Sequence, residues 1–335
     1  MRCLHYLTSN HLCLAITAPA VVCDWLVAFW QRSFYLQSAP AALEPRLRYH
    51  FLPDPHAVPA EVPCGQPVYH SRDLVVWQTQ AGFRLSCSDS LLQVYPATGE
   101  AVGWLAPAFP AFPLHEQRDF FLLSLLMLCH GRHCFAIHAN GLCDPEGRAY
   151  LLVGNSGSGK TTLAMTCVQQ GWHYLGDDVV LLGQSGLDIH AYALRRDFAC
   201  SQRTLAHLWA QDSSNRPGMT AVGDEAIPDA KQMIDEAGFY PARVLPTLRP
   251  TMICFTHIVQ QPQSQLSPLA QSQALIYLAQ QSAGLMTDRT IAQRQLTLLK
   301  QLTTQAPGYT LALGQDVFRD PGALPRLLQQ EPHGG

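Results

Sequence analysis

The stretch Ala149-Tyr150-Leu151-Leu152-Val153-Gly154-Asn155-Ser156-Gly157-Ser158-Gly159-Lys160-Thr161-Thr162 is the most informative in this chain of 335 residues. Its first five residues are a continuous apolar run, the pattern of a strand buried on both faces. The eight from Gly154 to Thr161 match G-x-x-x-x-G-K-[ST] at every fixed position, the signature of a P-loop. The spacing follows from chemistry. A polyphosphate needs several donors converging on a small anion, and consecutive backbone N–H groups supply them when the loop curls into a nest. Gly154, Gly157 and Gly159 permit the required backbone angles and close approach. A helix expected over Thr161–Gln170 points its positive end at the same place and stops before Gly171, a suitable C′ glycine. Lys160 reaches the outer phosphates as a point charge. Thr161 offers its hydroxyl to a magnesium ion. Residues 154–162, including Asn155, Ser156, Ser158 and Thr162, are therefore the expected binding site for ATP and Mg²⁺.

A P-loop does not choose a reaction, because ATPases, GTPases and small-molecule kinases share it. GTPase switch motifs are not evident, nor are four apolar residues ending in Asp-Glu, the pattern of mechanical ATPases. The discriminating pair is Asp177-Asp178, which comes after Gly176 and before the apolar run Val179–Leu182. Two adjacent carboxylates carry mutual repulsion and a desolvation cost, which a metal ion and a substrate proton relieve. Phosphoryl transfer needs both roles, one group to hold metal and one to accept the hydroxyl proton.

Composition narrows the function classes. The length suits two cores better than one, and 47% apolar residues suffice to fill them. The formal net charge is −3 and no stretch is dense in Lys or Arg, so no basic face for nucleic acid is expected. Lysine occurs only at positions 160, 231 and 300, which draws notice to Lys160 and Lys231. The 11 cysteines form no C-x-x-C pair, and Cys129, Cys134 and His138 lack a second pair of ligands for zinc. Reduced thiols in a cytoplasmic protein are the expectation. The apolar stretch Leu12–Trp30 is broken by Pro19 and Asp24, so it reads as a strand-helix pair rather than a membrane span or a signal peptide. Phe120–Cys129 is too short to span a bilayer and reads as part of a buried helix.

Along the chain, residues 1–113 read as an α+β module, with strands at Leu74–Thr79, Phe83–Cys87 and Leu91–Tyr95 and a turn at Pro96–Gly99. Pro107, Pro110 and Pro113 mark a boundary, and residues 114–330 form the P-loop domain, beginning with a helix over Leu114–Cys129. Further strands are expected at Cys134–His138, His173–Leu175, Val179–Leu182 and Thr251–Phe255, with a turn at Asp144–Gly147. Helices are expected near Ser272–Gln281 and Thr290–Leu302, and Gln260–Gln273 reads as an exposed connection. Ser213–Gly223 reads as a mobile loop and 331–335 as a frayed tail.

Phe135-Ala136-Ile137-His138-Ala139-Asn140-Gly141, the P-loop, and Gly171-Trp172-His173-Tyr174-Leu175-Gly176-Asp177-Asp178-Val179-Val180 together resemble the core of the HPr kinase/phosphorylase family, and more closely its shorter HPr-kinase-related branch. The match spans about a sixth of the chain, roughly residues 133 to 183. The resemblance implies an α/β fold with a mixed sheet, related to phosphoenolpyruvate carboxykinase, and ATP-dependent phosphorylation of a serine on a protein or peptide. It implies that His138 sits near the reacting phosphate and that Lys160 and Thr161 handle phosphates and metal. One of Asp177 and Asp178 is then the base, while the other positions metal or His138; Thr161 and Asp178 are the pair set down for the metal. It also implies a homo-oligomer, since the wider family assembles into rings, and leaves the N-terminal module to hold the acceptor. The family's Glu-x-Arg-Gly signature downstream of the paired Asp is absent. Arg195 and Arg196 are further candidates for steadying phosphates, and Lys231 for the site. Two other functions fit the same residues: a nucleotide-binding sensor or regulatory ATPase without transfer, and a kinase of a small-molecule hydroxyl.

Overall fold

The computed structural model describes residues 2–9, 11–40, 44–202, 204–206, 232–235, 241–282 and 289–329. Lys231, the Ser213–Gly223 stretch and the 331–335 tail lie outside the described residues. The chain divides into two units, Met1–Phe135 with Leu285–Arg294, and Ala136–Gly284 with Gln295–Gly335. The division falls after Phe135, so the helix that begins behind Pro113 is counted with the first unit.

In the first unit the Leu12–Trp30 stretch is a strand-helix pair. Strand β1 (Arg2–Thr8) forms an antiparallel hairpin with β2 (Cys13–Pro19), and Pro19 then caps helix α1 (Ala20–Ser33). Strands β3 (Gln37–Ser38), β4 (Leu47–Phe51), β5 (Tyr69–Ser71), β6 (Leu74–Gln78), β7 (Phe83–Cys87), β8 (Ser90–Tyr95) and β9 (Glu100–Trp104) follow, and then helix α2 (Leu114–His130). Nine strands make one mixed sheet in the order β3-β1-β2-β4-β9-β8-β7-β6-β5. Period-two alternation sends Leu47, Tyr49 and Phe51 of β4 inward, and Phe83, Leu85 and Cys87 of β7 likewise. The helices supply aromatic fill: Trp30 lies 5.0 Å from Tyr49 and 5.3 Å from Phe121, centroid to centroid. Most of α2 is buried, as its apolar content requires. No helix among the described residues is long and apolar enough to cross a membrane.

The second unit is built on two sheets. In chain order its strands are β10 (Phe135–Ile137), β11 (Ala139–Cys143), β12 (Ala149–Val153), β13 (His173–Gly176), β14 (Val180–Ser185), β15 (Asp188–Ala193), β16 (Asp197–Cys200), β17 (Gln232–Asp235), β18 (Thr247–Leu248), β19 (Met252–Ile258), β20 (Gln265–Leu269) and β21 (Gly308–Leu313). The helices are α3 (Lys160–Gln169), α4 (Gln271–Gln280), α5 (Arg289–Gln305, which the second unit holds from Gln295 on), α6 (Asp316–Arg319) and α7 (Ala323–Gln329). The central sheet runs β13-β11-β12-β19-β21-β20, and the second β10-β14-β15-β18. Within the central sheet β12 is parallel to β19 and β19 to β21, while β11, β13 and β20 join antiparallel, so the sheet is mixed. Every residue of β12 is buried, as its unbroken apolar run predicts. The β11–β12 turn is held by Asp144, whose carboxylate accepts from Arg148 N (2.8 Å), Arg148 Nε (2.7 Å) and Tyr150 Oη (3.0 Å). Leu142, Leu152, Leu163, Met165, Cys167 and Trp172 fill the core beside it. The architecture is mixed α/β with several sheets. The Gln-rich stretch is not simply a connection: it contains β20, an edge strand with exposed and half-buried residues whose Leu266 packs against the core.

Candidate functional site

Two strand switches build the site. His138 stands in the break between β10 of the second sheet and β11 of the central one. Asp177-Asp178 stand in the equivalent break, between β13 of the central sheet and β14 of the second. Because β11 pairs with β13 and β10 with β14, the two breaks lie side by side. The histidine-bearing segment is thus two short strands with His138 between them, not one strand over Cys134–His138.

The loop between β12 and α3 has the conformation its glycines allow. Gly157 (φ +81°) and Gly159 (φ +93°) are left-handed, a region that side chains rarely adopt. Lys160, 4% exposed, turns back over its own loop and donates from Nζ to the carbonyls of Gly154 (2.7 Å) and Asn155 (3.1 Å). Ser158 Oγ lies 2.9 Å from Thr256 Oγ1 of β19, and Thr162 Oγ1 lies 3.0 Å from Thr204 Oγ1.

The neighbouring aspartates part company. Asp178 has φ +62°, a backbone reversal that Asp tolerates better than most residues. Asp177, 2% exposed, accepts at Oδ1 from Thr161 Oγ1 (2.8 Å) and Asn140 Nδ2 (2.7 Å). Asp178 is more open and receives His138: Nε2 lies 3.1 Å from Oδ1, with side-chain exposures of 29% for the histidine and 22% for the aspartate. A contact of that length needs a proton between the two atoms. Thr161 bonds to Asp177, while Asp178, the carboxylate expected to share the metal with Thr161, bonds to His138.

Three residues complete the arrangement that the motifs did not single out. Asn140 lies two residues past His138 on β11; it is 1% exposed, and its Oδ1 has no hydrogen-bond partner. Gln281, just beyond α4, approaches His138 Nδ1 with Oε1 (3.3 Å) and donates from Nε2 to Asn155 Oδ1 (2.8 Å). Thr256 holds Ser158 from the neighbouring strand. Arg195 and Arg196 are half-buried just after β15. Among the described residues no group of three or more His, Cys, Asp or Glu gathers for a metal, and Cys134 Sγ lies 2.7 Å from His11 Nε2. The site nevertheless fits a magnesium-bound polyphosphate, which needs few protein ligands. A hydroxyl and a carboxylate oxygen stand 2.8 Å apart beside the loop, and Asn140 Oδ1 is a buried acceptor with no hydrogen-bond partner, as a site made to receive a further group would have.

No protein-family model matches the chain, and no curated protein does. Among solved structures, the HPr(Ser) kinase/phosphatase from Coxiella burnetii matches with a TM-score of 0.29 and 13% identity, over 58% of this chain and 93% of that chain. That likeness is weak and distant, and carries no argument about the reaction.

Proposed function

We propose that the chain is an ATP-dependent kinase that transfers the γ-phosphate to a serine hydroxyl of a protein or peptide. The observation that carries the reading is the division of the Asp177-Asp178 pair: one carboxylate sealed against the P-loop threonine, the other half-open against a histidine. A protein that only bound nucleotide would have no use for the second. The mixed central sheet around β12 supports the carboxykinase-related fold type that the sequence resemblance implies.

In this reading the backbone of residues 154–162 cradles the phosphates, and Lys160 exchanges its two carbonyl partners for phosphate oxygens, a charge-assisted and stronger bond. Thr161 and Asp177 hold the metal side, with Asn140 fixing the Asp177 carboxylate. Mg²⁺, when bound, neutralises charge on the phosphates. Asp178 accepts the proton from the serine Oγ as Oγ bonds to the γ-phosphorus. The bond from that phosphorus to the bridging oxygen breaks, and ADP leaves with the electron pair. His138 Nε2 orients the Asp178 carboxylate for this. Residues 1–113 are proposed to hold the acceptor, and a cytoplasmic location is part of the same proposal.

The test is γ-labelled ATP with magnesium, the purified protein and a lysate. Label in an acid-stable phosphoserine supports the reading and identifies the acceptor. ATP bound without any transfer puts the nucleotide-sensor reading first, and label on a small molecule favours a hydroxyl kinase. Lys160→Ala should weaken ATP binding about 10- to 100-fold by calorimetry. Wild-type affinity in that variant would remove the P-loop from the argument.

A further inference from the structure

Gln281 belongs to no motif, yet it is bonded to both halves of the site. Its backbone carbonyl accepts from His138 N–H (3.1 Å), and its Oε1 stands 3.3 Å from His138 Nδ1. The other end of the same amide donates to Asn155 Oδ1 in the P-loop (2.8 Å). An amide side chain has one acceptor end and one donor end. Here the acceptor end is committed to the histidine and the donor end to the loop. Both ring nitrogens face an oxygen acceptor, Gln281 Oε1 at Nδ1 and Asp178 Oδ1 at Nε2 (3.1 Å). Turning the ring over would break both contacts at once. His138 is therefore held at its backbone and at its ring by one residue, which also grips the phosphate loop.

We propose that Gln281 is a positioning residue of the transfer site: it fixes the His138 ring on Asp178 and links that orientation to the P-loop through Asn155. The inference rests on the kinase reading above. Gln281 touches neither the metal side, which Thr161, Asp177 and Asn140 form, nor Lys160, so its removal affects transfer more than nucleotide capture.

Two variants separate the arms. Gln281→Leu removes both, whereas Gln281→Glu keeps an acceptor for Nδ1 and loses the donor to Asn155. The probes are ¹⁵N-histidine spectra of the full chain, with His138 assigned by its loss in His138→Gln, and the kinetics of γ-phosphate loss from ATP with magnesium. Wild type should show a protonated Nδ1 on His138. Gln281→Leu should lose that signature and lower kcat about 10- to 100-fold, as misplaced catalytic groups do, while KM for ATP holds. Gln281→Glu should recover the histidine signature and most of kcat. Unmoved His138 signals in Gln281→Leu overturn the inference, as does a Gln281→Glu variant no better than Gln281→Leu. If wild type fails to bind ATP, the kinase reading falls and this inference with it. If ATP binds and His138 stays unmoved, only this inference falls.

Discussion

The first unit buries polar groups to finish its architecture; the second does so too, with Asp144 at the β11–β12 turn, and also gathers buried polar groups around one loop. In the first, Tyr49 Oη meets Ser124 Oγ at 2.9 Å, Gln93 Nε2 donates to Thr79 Oγ1 at 3.2 Å, and Gln117 donates to the carbonyls of Pro110 and Phe112. Each pair ties a helix or a turn to its surroundings, within an aromatic interior. In the second, Asn140, Lys160 and Asp177 are all nearly sealed from water, and all bond to the P-loop or to a residue that does. Burying an ionised group costs several kcal/mol unless partners offset it, as Arg148 and Tyr150 do for Asp144. Polar burial by itself does not mark a site. The proposed site differs in that Asn140, Lys160 and Asp177 converge on a loop with left-handed glycines.

The largest test of that contrast is Asp178→Asn. The half-open carboxylate is assigned to chemistry rather than to holding the fold. Transfer should drop about 10²- to 10⁴-fold, the range for loss of a general base, while calorimetry still finds ATP bound. A variant that transferred at wild-type rate would make Asp178 one more structural polar group, as in the first unit.

A smaller effect is expected from His130 on α2, a titratable group that the first unit buries without evident use. Desolvation pushes its pKa down from 6.5 to about 4, its ring lies 5.6 Å from that of Phe135, and its Nδ1 has no hydrogen-bond partner. The folded state therefore resists a proton that the unfolded chain accepts. Stability from this group is complete above pH 6.5 and is lost as pH falls towards 4, by about 3 kcal/mol. His130→Phe keeps a ring against Phe135 and removes the titration. The gap between urea midpoints of variant and wild type should widen as pH falls through that window. A constant gap would show that His130 is not held neutral.

What could be read from sequence was what depends on neighbours in sequence. The glycine spacing of residues 154–159, the apolar run of β12 and the break at Pro19 each state a local conformation, and each is present. What could not be read depends on pairing. That His138 and Asp177-Asp178 occupy adjacent switches between two sheets follows from strand order, which no local pattern records. Gln281 is distant from His138 in sequence and sits at the end of a helix with no signature. The split between Asp177 and Asp178 depends on partners distant in sequence, Asn140 for one and His138 for the other. Strands β1 and β20 went unread because much of their surface is polar or exposed, so alternation did not rise above the background.

The finest test is Asn140→Ala, where the two uses of buried polar groups predict opposite results. The substitution removes the 2.7 Å bond to Asp177, which by itself costs about 1–3 kcal/mol when it leaves a buried acceptor short of a donor. It also removes a partnerless buried oxygen, Oδ1, whose desolvation the fold already carries. Asp177 keeps its bond from Thr161 Oγ1. The two terms offset, so the melting temperature should move little. The Asp177 carboxylate, however, loses a donor that fixes its direction. The magnesium concentration needed for half-maximal turnover should then rise, by about tenfold if one such bond is lost. A large fall in melting temperature with an unchanged magnesium requirement would instead place Asn140 with Gln93 and Gln117, as a group that serves the fold alone.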